Sequence, residues 1–336
     1  MSGLEPLAPA EAVNHYLNHR EPELSEKSVE NHRYRLNSFV EWCQKHGLEN
    51  LNDLTGRDLH QFRTWRRREG ISAVTLRGQL ATVRVFLEFC ADIDAVEPGM
   101  RERVRLPEVD PEEEARDVKL EEEHANDILN HLHRFEYASR EHVIMAILWH
   151  TGIRLGSLRA FDLEDFDPDE QCLDLNHRPE SETPLKNGKS AERSIAVGES
   201  YCSVIQDYID VNRYDVTDDH GRNPLITSRQ GRLSGTAIRL AVYQTTRPCE
   251  YGPCPHDRDP AECEAVQETA HASRCPSGRS PHGVRRGSIT RHLRDGTPEE
   301  IVSDRMNVSG DILDQHYDRR TEREKMELRR QFIKGS

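Results

Sequence analysis

Residues 280–296 read SPHGVRRGSITRHLRDG. His282 and Arg285 stand three apart, so on a helix they share one face. Alone the pair says little, because H-x-x-R arises by chance. Its weight comes from three other polar elements in the same half of the chain. HTGIRLGSLRAFDLEDF (150–166) places Arg154 just after a glycine-marked break that ends the apolar run HVIMAILWHTG (142–152). KNGKSAERSIAV (186–197) carries Lys186 and Lys189 on a turn, ahead of the alternation in RSIAV that marks a strand. DILDQHYDRRTEREK (311–325) sets Tyr317 after an aspartate-rich turn and before a basic helix. Taken singly, an arginine at a helix start is an ordinary surface residue. A lone tyrosine, with its apolar ring and wet hydroxyl, commonly just anchors a helix.

The 336-residue chain has room for two domains, each with its own core. No apolar run is long enough to span a bilayer, and MSGLEPLAPAEAV has neither a basic n-region nor an apolar h-region, so a soluble, cytoplasmic protein with no membrane partner is expected. The net charge of −14 argues at first against a nucleic-acid partner. The distribution of charge tempers that. Lysine occurs only seven times against 39 arginines, and many acids with few lysines suggest a protein solubilised for the salty cytoplasm of a halophile. Such a habit masks a local basic site within an acidic total. It also singles out Lys186 and Lys189.

Residues 1–100 read as a compact helical domain. Val29, Leu36, Phe39, Val40 and Cys43 form one stripe that stops at Gly47. Thr55 caps a helix that buries Leu59, Phe62 and Trp65, and Leu76, Leu80, Val83 and Phe86 recur at helical spacing in the next. RTWRRR (63–68) reads equally as a solvated face or as a phosphate rail. Residues 101–118 mix proline and dense charge without apolar periodicity, as a linker does. Residues 119–336 read as a second domain, largely helical, with short strands and a hairpin or small sheet around KNGK and RSIAV. The fold class expected is therefore mainly α with a small antiparallel β-sheet.

Eight cysteines are present. Cys43, Cys90, Cys172 and Cys202 stand isolated in apolar or strand-like contexts and read as plain core thiols. Cys249, Cys254, Cys263 and Cys275 cluster in an insert, residues 249–275, that contains Gly and Pro and has little apolar content. In a cytosolic chain such a cluster suggests a metal before disulfides. A tetrahedral structural Zn²⁺ on the four thiolates, with His256 as a substitute ligand, would fold the loop and hold the following His282 segment in place. Free thiols in an ordinary loop are the alternative.

In this order, and with a tyrosine after them, the four polar elements resemble the tyrosine recombinase (phage integrase) family, of the Xer-like site-specific kind. The resemblance covers most of the chain. It implies an N-terminal helical core-binding (SAM-like) domain and a C-terminal mixed α/β catalytic domain. Residue by residue it makes Arg154 the first catalytic arginine, His282 and Arg285 the H-x-x-R box, and Tyr317 the nucleophile. Lys186 takes the place of the family's hairpin lysine, with Lys189 as the alternate. It implies strand cleavage through a 3′-phosphotyrosine, without ATP or a catalytic metal, by a homotetramer on paired sites in double-stranded DNA. Met326, Leu328 or Phe332 would then dock a C-terminal helix on a neighbouring protomer.

The residue types suit that chemistry. A phenol with an ordinary pKa of about 10 needs its proton removed and the developing phosphorane charge stabilised. Guanidinium groups clamp phosphate oxygens in pairs, a histidine accepts a proton or bonds the phosphate, and a lysine protonates the departing 5′-oxygen. Two departures from the family stand out. Val308, after Asn307, occupies the position of the usual His or Trp, so that group is missing or replaced by Asn307. Ser157 replaces the acidic residue common three after the first arginine. His316, beside Tyr317, reads as a helix-surface histidine. The competing function is a non-catalytic, zinc-stabilised DNA-binding regulatory protein derived from a recombinase.

Overall fold

The computed structural model describes residues 4–109 and 119–316, with Arg323, Met326 and Arg330 beyond them; for 314–316 only the backbone is described. The chain divides into two compact units, Met1–Asp117 and Val118–Ser336.

The first unit is all helical: α1 (Pro9–Arg20), α2 (Glu26–His46), α3 (Gly56–Arg68), α4 (Ala73–Asp92) and a single turn α5 (Met100–Arg103). Its boundaries follow local chemistry. The Ser25, Thr55 and Ser72 side chains each accept a backbone N–H from the first turn of α2, α3 and α4. Thr55 and Asp58 close a reciprocal capping box. Apolar faces converge on Tyr16, Leu36, Phe39, Trp42, Phe62 and Phe86, all fully buried. The Phe39 and Phe62 rings meet edge to face at 5.3 Å. On α3, Arg66 is held by Gln79 and Glu69, while Arg67 and Arg68 are exposed. Only part of the basic run is thus engaged within the fold. The stretch read as a linker begins later than its composition implied: residues 100–103 are helical, and Met100 and Val104 are buried in this core.

The second unit is built round α7 (Arg140–Thr151), which is apolar on all sides and therefore interior. Packed around it are α6 (Glu122–Phe135), α8 (Leu155–Ala160), α9 (Glu199–Asp207), α10 (Gly235–Thr245) and α12 (Pro281–Arg294); α11 (Glu264–Gln267) lies in the cysteine-rich insert. α13 (Glu299–Met306) and α14 (Gly310–His316) complete the described chain. Close packing of α12 on α7 depends on Gly287. A Cβ there would lie 2.1 Å from the Leu120 carbonyl oxygen and 2.8 Å from the Trp149 ring.

Strands β1 (Phe166–Asp167), β2 (Cys172–Leu175) and β3 (Arg193–Ala196) form an antiparallel sheet, with Leu173 opposite both Phe166 and Ile195. β4 (Thr227–Ser228) and β5 (Gly231–Arg232) form a separate ribbon. The small sheet is as expected, but KNGK is not a tight hairpin turn. Residues 176–192 make an excursion between β2 and β3, with Lys189 in a short 3₁₀ turn. Cys43, Cys90 and Cys202 are buried, whereas Cys172 is half-exposed on β2.

The segment after α8 is bolted down by a buried charge network. Asp162 sits 3.2 Å from Arg222 and 3.6 Å from Arg178, and its other oxygen meets Arg232. Asp218 lies 2.8 Å from Arg232. Burial works to raise the Asp218 pKa, but backbone N–H groups of Arg222 and His220 and the Arg232 guanidinium prevail and bring it down to about 2. Asp162→Ala leaves guanidinium groups packed around an emptied position. Unfolding in urea should show a loss of about 3–5 kcal/mol. A change below about 1 kcal/mol would show that solvent already screens the network.

Candidate active site

Gly152 ends α7 in the left-handed conformation, with φ 61°. No side chain fits there, since a Cβ would approach the Met306 sulfur to 2.7 Å and Ser288 Oγ to 3.0 Å. The reversal releases the chain so that Arg154 becomes the N-cap residue of α8, half-buried at the rim of a cleft. The cleft, of about 510 Å³, is lined by Arg154, Lys186, Asn187, Arg193, Asn307 and Val308 among others.

α12 contributes from below. Ser280 caps it and Pro281 opens it, so His282 and Arg285 fall in its first turns. Arg285 is 3% exposed. Its Nη1 donates to the Gly152 carbonyl at 2.6 Å and to the Met306 carbonyl at 2.8 Å, joining the ends of α7 and α13. His282 is exposed at the surface of α12. Partial desolvation, then the charges of Arg286, Arg285, Lys186 and Arg154, hold its pKa below the ordinary 6.5. Its imidazole is therefore neutral at pH 7, the form able to accept a proton. That the charges of Arg154, Lys186 and Arg285 all reach His282 shows that three distant stretches of sequence meet in one place.

Lys186 lines the cleft and is exposed; Lys189 is exposed but does not line it. Asn307 ends α13 in the left-handed region, at φ 49°, a conformation asparagine tolerates better than most residues. Its Oδ1 accepts from Asn187 Nδ2 at 2.8 Å, and its own Nδ2 has no partner among the described residues. Val308 is 7% exposed and packs with Ile289, Leu293, Val302, Met306 and Leu313. It bonds nothing. Ser157 N–H turns back onto the Arg154 carbonyl at 2.9 Å. Tyr317 lies outside the described residues, as do Leu328 and Phe332, and the His316 side chain is not described; Met326 is exposed.

The sequence reading missed Arg193. It lines the cleft, donates from Nε to the Arg305 carbonyl at 2.9 Å, and is pushed down to about 10 by burial and by the neighbouring Arg154. The signal was present: on a strand it shares a face with the buried Ile195. Asn187, which braces Asn307, gave no comparable signal.

A helical N-terminal unit and a mixed catalytic-type unit, with basic groups converging beside the last helices, define a class. Residues 119–323 match the phage integrase family and residues 13–92 match the phage integrase N-terminal SAM-like domain. The chain belongs to the phage integrase family.

Among its relatives, tyrosine recombinase XerC of Pseudomonas syringae pv. tomato is 26% identical over 234 residues, which are 66% of this chain and 70% of that protein. XerC of Escherichia coli O157:H7 is 21% identical over 212 residues, 63% of this chain; the chain spans 66% of that relative's length. The fold resembles the integrase of transposon Tn1549, solved in complex with a circular intermediate DNA, with a TM-score of 0.69 at 14% identity over 96% of this chain and 99% of that one.

Proposed function

We propose that the protein is a site-specific recombinase that cuts and rejoins double-stranded DNA through a 3′-phosphotyrosine on Tyr317. The observation that carries this reading is the convergence of Arg154, Lys186, His282 and Arg285 beside the segment leading into Tyr317. Arg154 and Arg285 hold the non-bridging oxygens of the scissile phosphate. Neutral His282 takes the tyrosyl proton, and Lys186 returns one to the leaving 5′-oxygen. Asn307, with an unengaged amide donor at the cleft, stands in for the usual His or Trp. Strand exchange takes place in a homotetramer on paired sites, in a salt-rich cytoplasm that the acidic, arginine-biased composition suits. No helix of the described residues is long and apolar enough to cross a membrane.

A nicked duplex whose 5′ fragment diffuses away tests the reading, because it traps a denaturation-stable protein–DNA adduct. Binding should weaken with salt by roughly 0.9 log units per log unit of salt for each phosphate neutralised. Binding without any adduct would favour the regulatory alternative.

The acid is tested separately. Lys186→Ala should slow cleavage by about 10²–10⁴-fold on an ordinary substrate. A 5′-thiolate leaving group, which needs no proton, should restore the rate, and Lys189→Ala should matter little. Failure of the thiolate to rescue would remove Lys186 from the acid role.

A further inference from the structure

The four clustered cysteines have no part in the cleft, and none of them lines it. They share a different space. Cys249, Cys254, Cys263 and Cys275 all line one small void of about 10 Å³, with His256 on its wall. That is room for a single ion or water. The loop around the void has almost no core of its own: the buried residues between 249 and 275 are Ala265 and Ala272. Two alanines bury too little apolar surface to offset the entropy of ordering such a segment. A further bond is needed.

We infer that Cys249, Cys254, Cys263 and Cys275 bind one Zn²⁺ as a tetrahedral thiolate site that folds the insert. His256 is not required, because its Nε2 already pairs with Ser277 Oγ at 2.9 Å. The four sulfurs do not yet lie within 4.8 Å of one another, so binding draws the walls of the void inward to Zn–S distances of about 2.3 Å. The competing donor set is Glu264, Glu268 and His271, which are that close. These side chains already have partners without a metal, since His271 Nδ1 lies 2.9 Å from an oxygen of each carboxylate and Arg274 also pairs with Glu264.

The site serves the insert and not the reaction. The insert's two ends are already fastened outside the cluster. Thr246 Oγ1 accepts the Arg279 N–H at 2.8 Å, and Arg279 Nε donates to the Lys119 carbonyl at 3.0 Å. The expected support of the His282 segment thus comes from this clasp.

The full chain, purified without chelator or added metal, should carry about one zinc per molecule by elemental analysis. A mercurial thiol reagent should release it. Exchange to Co²⁺ should give the intense thiolate-to-metal absorption of a sulfur-rich tetrahedral site. Cys263→His, which keeps a donor, should retain the metal with an altered cobalt spectrum. Replacing all four cysteines by serine should abolish binding and lower the melting temperature. Glu264→Gln with His271→Ala should leave zinc content unchanged. Metal-free protein, paired disulfides in place of titratable thiols, or zinc lost with Glu264 and His271 but kept without the cysteines would each overturn the assignment.

Discussion

With Tyr317 replaced by phenylalanine, the protein folds and binds duplex DNA as before but forms no covalent adduct. The substitution removes one oxygen and keeps the ring, so packing around the position changes little. On the proposed mechanism the reaction loses its nucleophile altogether. The described part of α14 is firmly seated. Leu313 is fully buried against Met306 and Val308, and Ile312 lines the cleft. The check is the nicked-duplex assay, read by denaturing electrophoresis beside a binding isotherm. An adduct that persists in Tyr317→Phe would place the nucleophile elsewhere.

Arg285→Ala has the second-largest expected effect, and it is twofold. The buried guanidinium bonds the Gly152 and Met306 carbonyls, so truncation leaves two interior acceptors unpaired. With hydrogen bonds to charged groups contributing about 1.5–3 kcal/mol each, the unit should lose about 3–6 kcal/mol of stability. Loss of a preorganised donor to the transition state should remove a further factor of about 10²–10³ in the rate of cleavage. Arg154→Ala separates the two effects, because Arg154 stands half-buried at the cleft rim. It should lose a similar factor in rate with a smaller drop in melting temperature. Equal destabilisation by both variants would show that Arg154 is as much a structural bolt as Arg285.

The helical periodicities and caps of the first unit were legible because they are local: Thr55 with Asp58, the stop at Gly47, and the stripe through Leu36, Phe39 and Cys43. Trp42 escaped that stripe although it is buried beside Phe39. In the second unit the order of Arg154, Lys186, His282 and Arg285 marked the site before any geometry. Their division of labour was not legible. Nothing in the spelling H-x-x-R shows that Arg285 turns inward to bind two carbonyls while His282 stays exposed, because that depends on where α7 and α13 end. The reading of a hairpin or small sheet around KNGK holds for the sheet but not for a tight turn, for the same reason. KNGK has turn chemistry, but the ladder closes through Leu175 and Arg193, well outside it. Arg193 and Asn187 join the site through contacts spanning more than a hundred positions, to Arg305 and to Asn307.

The clasp of Thr246 with Arg279 bears on how much the insert can vary in length. Thr246 follows the last turn of α10, and Arg279 precedes the cap of α12 by one residue, so the whole insert hangs from two adjacent backbone points. Lengthening a loop whose ends are already joined adds only a logarithmic entropy term. Changes in the length of the intervening segment should therefore cost little stability while α12 keeps its register.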